Sequence, residues 1–159
     1  MKRSIAPIGA VALLLALPGG PLCAQGFPAI SQRMFTDGSA RVTVTGAFSF
    51  NEDVAINKQA SFSGGDMTWL QFGASGGPET NATITYNQDS KETGIIVARG
   101  KLTATGGIAP GEPSECTGRV EVSATLMAGR YSCRGVTSYD PATGKMGKVD
   151  IDISFTAKS

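Results

Sequence analysis

Apolar and polar residues alternate in short segments along this chain, and no segment beyond its amino terminus shows the spacing of an amphipathic helix. The clearest segment is 148–157, in which Val149, Ile151, Ile153 and Phe155 are separated by single polar residues. Strict alternation indicates a strand with one face in a core and the other in water. Repeated segments of this kind, split by Gly, Asp, Asn and Pro, predict an all-β fold. The expected architecture is a single antiparallel β-sandwich, immunoglobulin-like or jelly-roll-like, of about seven to nine strands.

The pattern also sets the expected domain organisation. Residues 1–24 are expected to be a signal peptide, 25–40 an N-terminal arm and 41–159 the β-sandwich domain. Two glycine-containing stretches, 73–79 and 106–115, predict surface loops, which carry binding residues more often than strands do. The predicted strands are 41–50, 54–62, 67–72, 82–86, 94–98, 101–105, 116–122, 127–136 and 148–157.

The amino terminus has the layout of a bacterial export signal. Lys2 and Arg3 precede the apolar run 11–17, which ends at Pro18. That run is too short to span a bilayer, which needs about 20 apolar residues, and no later run is long enough. We therefore expect an exported protein, periplasmic or secreted, that is not integral to a membrane.

Two cleavage sites compete, one after Ala24 and one after Gly26, and the first is favoured. Cys23 raises another option, attachment of a lipid. Pro21 and Leu22, however, stand where a lipoprotein signal has small residues. Lipid anchoring at Cys23 is therefore the less favoured alternative.

Charge and residue content argue against several functions. Loss of Lys2 and Arg3 with the signal leaves 12 of the 14 basic residues against 13 acidic ones, so a nucleic-acid partner is not expected. The chain has no histidine, the usual general base and a common metal ligand. We therefore predict no enzyme, no metal site and no cofactor. Catalysis would have to rest on carboxylates such as Glu52, Asp53, Glu79, Asp150 and Asp152.

Cys116 and Cys133 are the cysteines that remain after export, and they predict one structural disulfide in an oxidising compartment. If 116–122 and 127–136 are neighbouring strands, a tight turn at 128–129 would hold the cysteines roughly 26 Å apart. A disulfide tolerates Cα atoms only about 4.4–6.8 Å apart. Neighbouring strands therefore need the register in which paired residue numbers sum to 249. A bridge between non-adjacent strands of two sheets is the alternative.

This register places particular side chains opposite one another. Tyr131 comes to lie opposite Gly118, so an aromatic ring would cover a bare glycine. The arginines of the outer face are a candidate surface for an anionic ligand. Neutralisation by Glu121, Asp150 and Asp152 in a surface ladder is the favoured interpretation. The outer-face pairs are Arg119 with Arg130 and Glu115 with Arg134.

The segment 67–72 allows two placements of the single tryptophan. Met67 and Trp69 share one face of the predicted strand, and Leu70 and Phe72 share the other. Trp69 in the core is favoured, because a large aromatic residue is the usual centre of a sandwich. If Leu70 and Phe72 fill the core instead, Met67 and Trp69 form an exposed apolar binding surface.

The run 129–136 (GRYSCRGV), preceded by Cys116 and followed by an alternating last strand, resembles the tail of small exported bacterial β-sandwich proteins and lipoproteins of uncharacterised function. The resemblance covers about the last 45 residues. It implies a fold and a compartment, with no catalytic or binding residue to transfer.

The expected function is a non-catalytic binding or structural module of the bacterial envelope or secretome. Its expected partner is a protein or an envelope component. One alternative is a carrier of a small apolar ligand, which an internal apolar cavity would favour. The other is a carboxylate-based hydrolase of envelope sugars, which two converging carboxylates would favour.

Overall fold

The computed structural model describes residues 32–74 and 79–159. The predicted signal peptide, the cleavage sites after Ala24 and Gly26, Cys23, and the first part of the predicted arm lie outside these described residues. The predicted loop 73–79 is described only in part. Within the two described ranges, no helix has the length and hydrophobicity of a membrane span.

The described chain consists of antiparallel strands and carries one disulfide, which confirms the predicted fold class. The described residues form eleven strands, more than the seven to nine predicted. They are β1 (Arg33–Met34), β2 (Asp37–Gly46), β3 (Phe50–Ala55), β4 (Phe62–Gly64), β5 (Met67–Phe72), β6 (Thr80–Asn87), β7 (Thr93–Arg99), β8 (Leu102–Ile108), β9 (Cys116–Val122), β10 (Leu126–Asp140) and β11 (Lys145–Lys158).

The strands form one sheet that curls back on itself. Its order is β1-β4-β5-β6-β7-β8-β10-β11-β2-β3, and β9 pairs with β10 off this path. The end of β3 reaches β5 through a bridge between Ile56 and Phe72, beside a 2.8 Å hydrogen bond from the Gly73 N–H to the Ala55 carbonyl. The curl therefore brings the inner faces of distant strands against one another, as in the two layers of a sandwich.

Inward-facing residues from both sides of the curl fill the core. The Phe155 ring lies 6.1 Å, centroid to centroid, from both Tyr131 and Phe72, which joins β11, β10 and β5. The interior is therefore occupied by large side chains. Those that are fully buried are Tyr131, Phe35, Phe72, Leu70, Ile84, Ile95, Met127, Ile151, Ile153, Val42, Val44 and Val97.

A hairpin replaces the single strand predicted over 41–50. The strand β2 ends at Gly46, which has a φ of +120°, and a Cβ there would lie 2.5 Å from the Lys148 carbonyl oxygen. Only glycine fits such a position, and the chain reverses over the next three residues before β3 starts at Phe50. As a result Phe50 lies opposite Val44 on the neighbouring strand, and both are buried.

The last part of the predicted arm contains β1 and the start of β2, joined by Phe35 and Thr36. Phe35 is fully buried, and its N–H donates to the Ser61 carbonyl at 3.0 Å. The next N–H, that of Thr36, donates to the Lys158 carbonyl at 2.8 Å. Strands of the sheet therefore occur before residue 41, the boundary expected for the β-sandwich domain.

The hairpin of β9 and β10 has the register predicted from the disulfide. Cys133 lies opposite Cys116 and is bonded to it, and Tyr131 lies opposite Gly118. A Cβ on Gly118 would collide with Cδ1 of Tyr131, so the ring covers the glycine as expected. The disulfide also packs on β8, where a Cβ on Gly106 would lie 2.6 Å from the Cys116 sulfur.

Tyr131 connects two sides of the curled sheet. Its hydroxyl shares a 3.0 Å hydrogen bond with Oγ1 of Thr93 on β7. Burial raises the pKa of Tyr131 to about 12, because the phenolate would be formed away from water.

We expect spectrophotometric titration of the tyrosines to show one ionisation near pH 12 that is absent in Tyr131→Phe. Because the folded-state pKa lies above the ordinary value of 10.0, the stability contributed by neutral Tyr131 is complete below pH 10. It is lost as the pH rises towards 12. Identical titration curves for the two proteins would contradict this assignment.

Candidate binding surfaces

The two faces of β5 differ sharply in exposure. Leu70 and Phe72 are fully buried, whereas Met67 is 42% exposed and Trp69 is 40% exposed. The favoured prediction that Trp69 lies in the core is therefore wrong, and the alternative placement is found. The inner positions of β5 face a core closed by β10 and β11, which leaves Trp69 on the outer face.

The outer face around Trp69 carries further apolar side chains. Trp69 lies opposite Phe62 on β4, and Phe62 lies opposite Met34 on β1, which is 39% exposed. Partners in an antiparallel pair point to the same side of the sheet. We call Met34, Phe62, Met67 and Trp69 the tryptophan face.

A trough adjoins the tryptophan face on its β6 side. The residues that continue the row from Trp69 are Thr85, Gly94 and Gly107, so two of the three strands present bare backbone there. The trough has a volume of about 400 Å³, and Met67 is part of its wall. A floor of glycine allows a ligand to approach the backbone closely.

Another wall of the trough is formed by the end of β8 and the loop after it. Both lie in the segment 106–115, of which residues 106–108 are strand and not the predicted loop. Ile108, Ala109 and Pro113 give this wall an apolar surface. The hydroxyl of Ser114 donates to the Gly107 carbonyl and accepts the Cys116 N–H at 3.0 Å. The loop is thereby fastened both to the floor of the trough and to the disulfide.

The polar rim of the trough lies at the turn between β6 and β7. Asn87 donates through Nδ2 to the Asp66 carboxylate at 2.9 Å. Its Oδ1 accepts the N–H groups of Asp89 and Ser90, each at 2.9 Å. These bonds orient the Asn87 side chain where it meets the trough, beside Glu92.

The predicted arginine pair is present on the outer face of the β9–β10 hairpin. Arg119 lies opposite Arg130, and both side chains are exposed. Among the described residues neither makes an ion pair within 4.0 Å. On the next two strands, Ser154 lies opposite Arg130 and Arg41 lies opposite Ser154. Arg41 forms an ion pair with Asp53 at 3.4 Å.

Arg134, the third predicted arginine, is held by its neighbours. Its guanidinium lies 2.9 Å from the Asp152 carboxylate and donates to the Ser132 hydroxyl at 2.8 Å. The hydrogen bond from the Arg134 guanidinium to the Asp152 carboxylate is the largest cause of the lowered pKa of Asp152. The backbone N–H of Arg134 donates to the Glu115 carbonyl at 2.8 Å, in line with the predicted pairing. Arg134 belongs to a surface ladder and does not join Arg119 and Arg130 in one open site.

The candidate carboxylates are distributed rather than gathered. Glu52 pairs with Arg99 at 3.0 Å, Asp53 with Arg41, and Asp152 with Arg134. Asp150 accepts the Gly135 N–H at 2.7 Å. Within the described ranges no three metal-ligating side chains lie close enough to hold an ion.

The local sequence pattern did not predict a site role for Met34, Phe62, Thr85 or the two glycines of the trough. These residues come from five strands, and each looks ordinary within its own segment. Their alignment with Trp69 depends on strand pairing, which no local pattern encodes. The one available signal was the exposed alternative for Met67 and Trp69.

Comparisons with protein-family models, curated proteins and solved structures found no match to this chain.

Proposed function

We propose that this protein is an exported, non-catalytic binding module and that the tryptophan face and the adjoining trough contact its partner, a protein or an envelope component. The observation that carries the proposal is the row of large apolar side chains on the outer face, with Trp69 at 40% exposure. Isolated exposed apolar residues are common on soluble proteins, but contiguous ones rimmed by polar groups are typical of interaction sites.

The composition of this surface suits contact with a partner. Tryptophan and methionine are enriched in interfaces, and tryptophan contributes disproportionately to their binding energy. Beside Trp69, Gly94 and Gly107 keep the floor shallow for an extended chain or a sugar ring, and the Thr85 hydroxyl that lies against Gly94 adds a hydrogen-bonding group there. The trough thus offers an apolar anchor together with a shallow, open path.

Several observations support a function without catalysis. The chain lacks histidine, and Cys116 and Cys133 are bonded to each other. Three of the candidate carboxylates are engaged with arginines, and they do not converge. The carrier alternative has less support than the binding module, because large side chains such as Tyr131 and Phe72 occupy the interior.

Selection of displayed random peptides on the immobilised mature protein tests the proposal, with a bacterial glycan array as the parallel arm. We expect binders whose affinity, measured by calorimetry, falls about tenfold or more in Trp69→Ala. Met67→Ala is expected to weaken binding less. In wild type, binding is expected to shift the emission of the only tryptophan towards the blue as water leaves Trp69.

Met146→Ala is the matched control, because Met146 is a methionine on β11 that is 71% exposed and lies outside the tryptophan face. It should bind like wild type. Ligands that bind Trp69→Ala as tightly as wild type, or no enrichment in either arm, would refute the proposed surface.

A further inference from the structure

The edge of β9 is a second interaction surface, independent of the tryptophan face. Among the described residues β9 is hydrogen-bonded only to β10. Further along β10, at Ser138 and Tyr139, β8 pairs with the same edge of β10 that β9 occupies earlier. An unpaired edge is a template for another strand, and proteins usually protect it with charged side chains, lysine above all, with proline or with a bulge. The sequence of β9, CTGRVEV, has neither proline nor lysine, and its two charged residues, Arg119 and Glu121, are of opposite sign.

The hydrogen-bonding pattern identifies which groups are free on this edge. The bonds from Arg134 N–H to the Glu115 carbonyl and from Ser123 N–H to the Leu126 carbonyl belong to the β9–β10 ladder. In an antiparallel ladder the residues that bond to a given neighbour alternate. Odd-numbered residues of β9 therefore face β10, and Gly118, Val120 and Val122 direct their N–H and C=O groups to the open edge.

The charges along β9 select a partner and a register. We propose that β9 pairs with β9 of a second copy of this chain, antiparallel, about a two-fold axis at Val120. This register places Arg119 of each copy opposite Glu121 of the other. Shifting the axis by one residue would instead oppose two copies of Arg119 or two of Glu121, which is unfavourable.

The charge arrangement around Arg119 in the monomer favours this pairing. Arg119 already lies opposite Arg130 on the neighbouring strand, and like charges in that position are destabilising. In the dimer, Glu121 of the second copy lies next to Arg119 on the side away from Arg130. The carboxylate thus meets a site with an excess of positive charge, in a closed isologous interface.

The inner face of β9 fits the same arrangement. Val122 is 41% exposed, and in the proposed register it lies opposite the second copy's Gly118, which has no side chain. A gap of about 490 Å³ opens beside Gly118 and is lined by Val120, Ile108 and Tyr86. The second copy's valines would enter this gap and lose their contact with water.

Charge reversal combined with sedimentation of the mature protein tests the pairing. Wild type is expected to form a dimer as its concentration rises. Arg119→Glu and Glu121→Arg should each weaken it about tenfold or more, because each creates two repulsive contacts across the axis. An equimolar mixture of the two variants should form a heterodimer, in which every contact is again attractive.

Glu112→Arg, a reversal in the exposed loop before β9, is the control and should dimerise like wild type. Hydrogen exchange supplies an independent readout: on dimerisation the amides of Gly118, Val120 and Val122 should gain protection, and those of Arg119 and Glu121 should not. A protein that stays monomeric, or a dimer indifferent to both reversals, would overturn the proposal. A monomeric protein would instead indicate that the open edge of β9 is available to a strand of a different protein.

Discussion

Replacing both Cys116 and Cys133 by alanine is expected to lower the free energy of unfolding by about 3 kcal/mol under oxidising conditions. The disulfide closes a loop with a sequence separation of 17 residues, and loop-closure entropy accounts for roughly that amount. Alanine is chosen because both sulfurs are buried near Gly106, where a serine hydroxyl would add a separate desolvation cost. Urea denaturation with and without reductant measures the effect.

The wild-type protein with reductant is the internal comparison for this experiment. Reduction should move its denaturation midpoint towards that of the double alanine variant, whose own midpoint should not respond to reductant. Serine at both positions should cost more than alanine. If the alanine variant were as stable as the oxidised wild type, the bond would contribute nothing to the fold.

Leu70→Ala is expected to destabilise the protein by about 2–5 kcal/mol, while Trp69→Ala on the same strand costs much less. Leu70 is fully buried, so its truncation leaves a cavity in the core. Trp69 is larger but is 40% exposed on the outer face, where surrounding water fills the space that truncation vacates. Chemical denaturation of both variants compares two adjacent residues in a common strand environment.

The order of the two effects is the decisive result. Acrylamide should also quench the fluorescence of wild-type Trp69 readily, because the indole is accessible. A larger loss of stability in Trp69→Ala than in Leu70→Ala would place the tryptophan in the core. That outcome would also remove the basis of the proposed binding surface.

The hairpin of β9 and β10 was predictable because a covalent constraint acted together with strand geometry. Given neighbouring strands, the bond between Cys116 and Cys133 allows one register, and that register sets Tyr131 over Gly118. Few parts of a β-protein carry so direct a marker of pairing. Elsewhere in the chain, alternation identified strands without identifying their partners.

The face of β5 was not predictable for a specific reason. Met67 and Trp69 on one side are about as apolar as Leu70 and Phe72 on the other, so alternation cannot tell inside from outside. The hairpin at Gly46 was missed for a related reason, since the apolar pattern of 41–50 runs on through the turn. In both places a long-range contact decided the outcome: the core formed with β11 for β5, and the close approach of Lys148 for Gly46.

The all-β class, the disulfide and the register of one hairpin were predictable from local sequence, because alternation and cysteine geometry act over short distances along the chain. The burial of Phe35 and the exposure of Trp69 instead follow from the tertiary packing. It alone aligned Met34 and Phe62 with Trp69 and left the edge of β9 open. These outcomes depend on which strands become neighbours when the sheet curls, and that choice is made by the packing of the whole core.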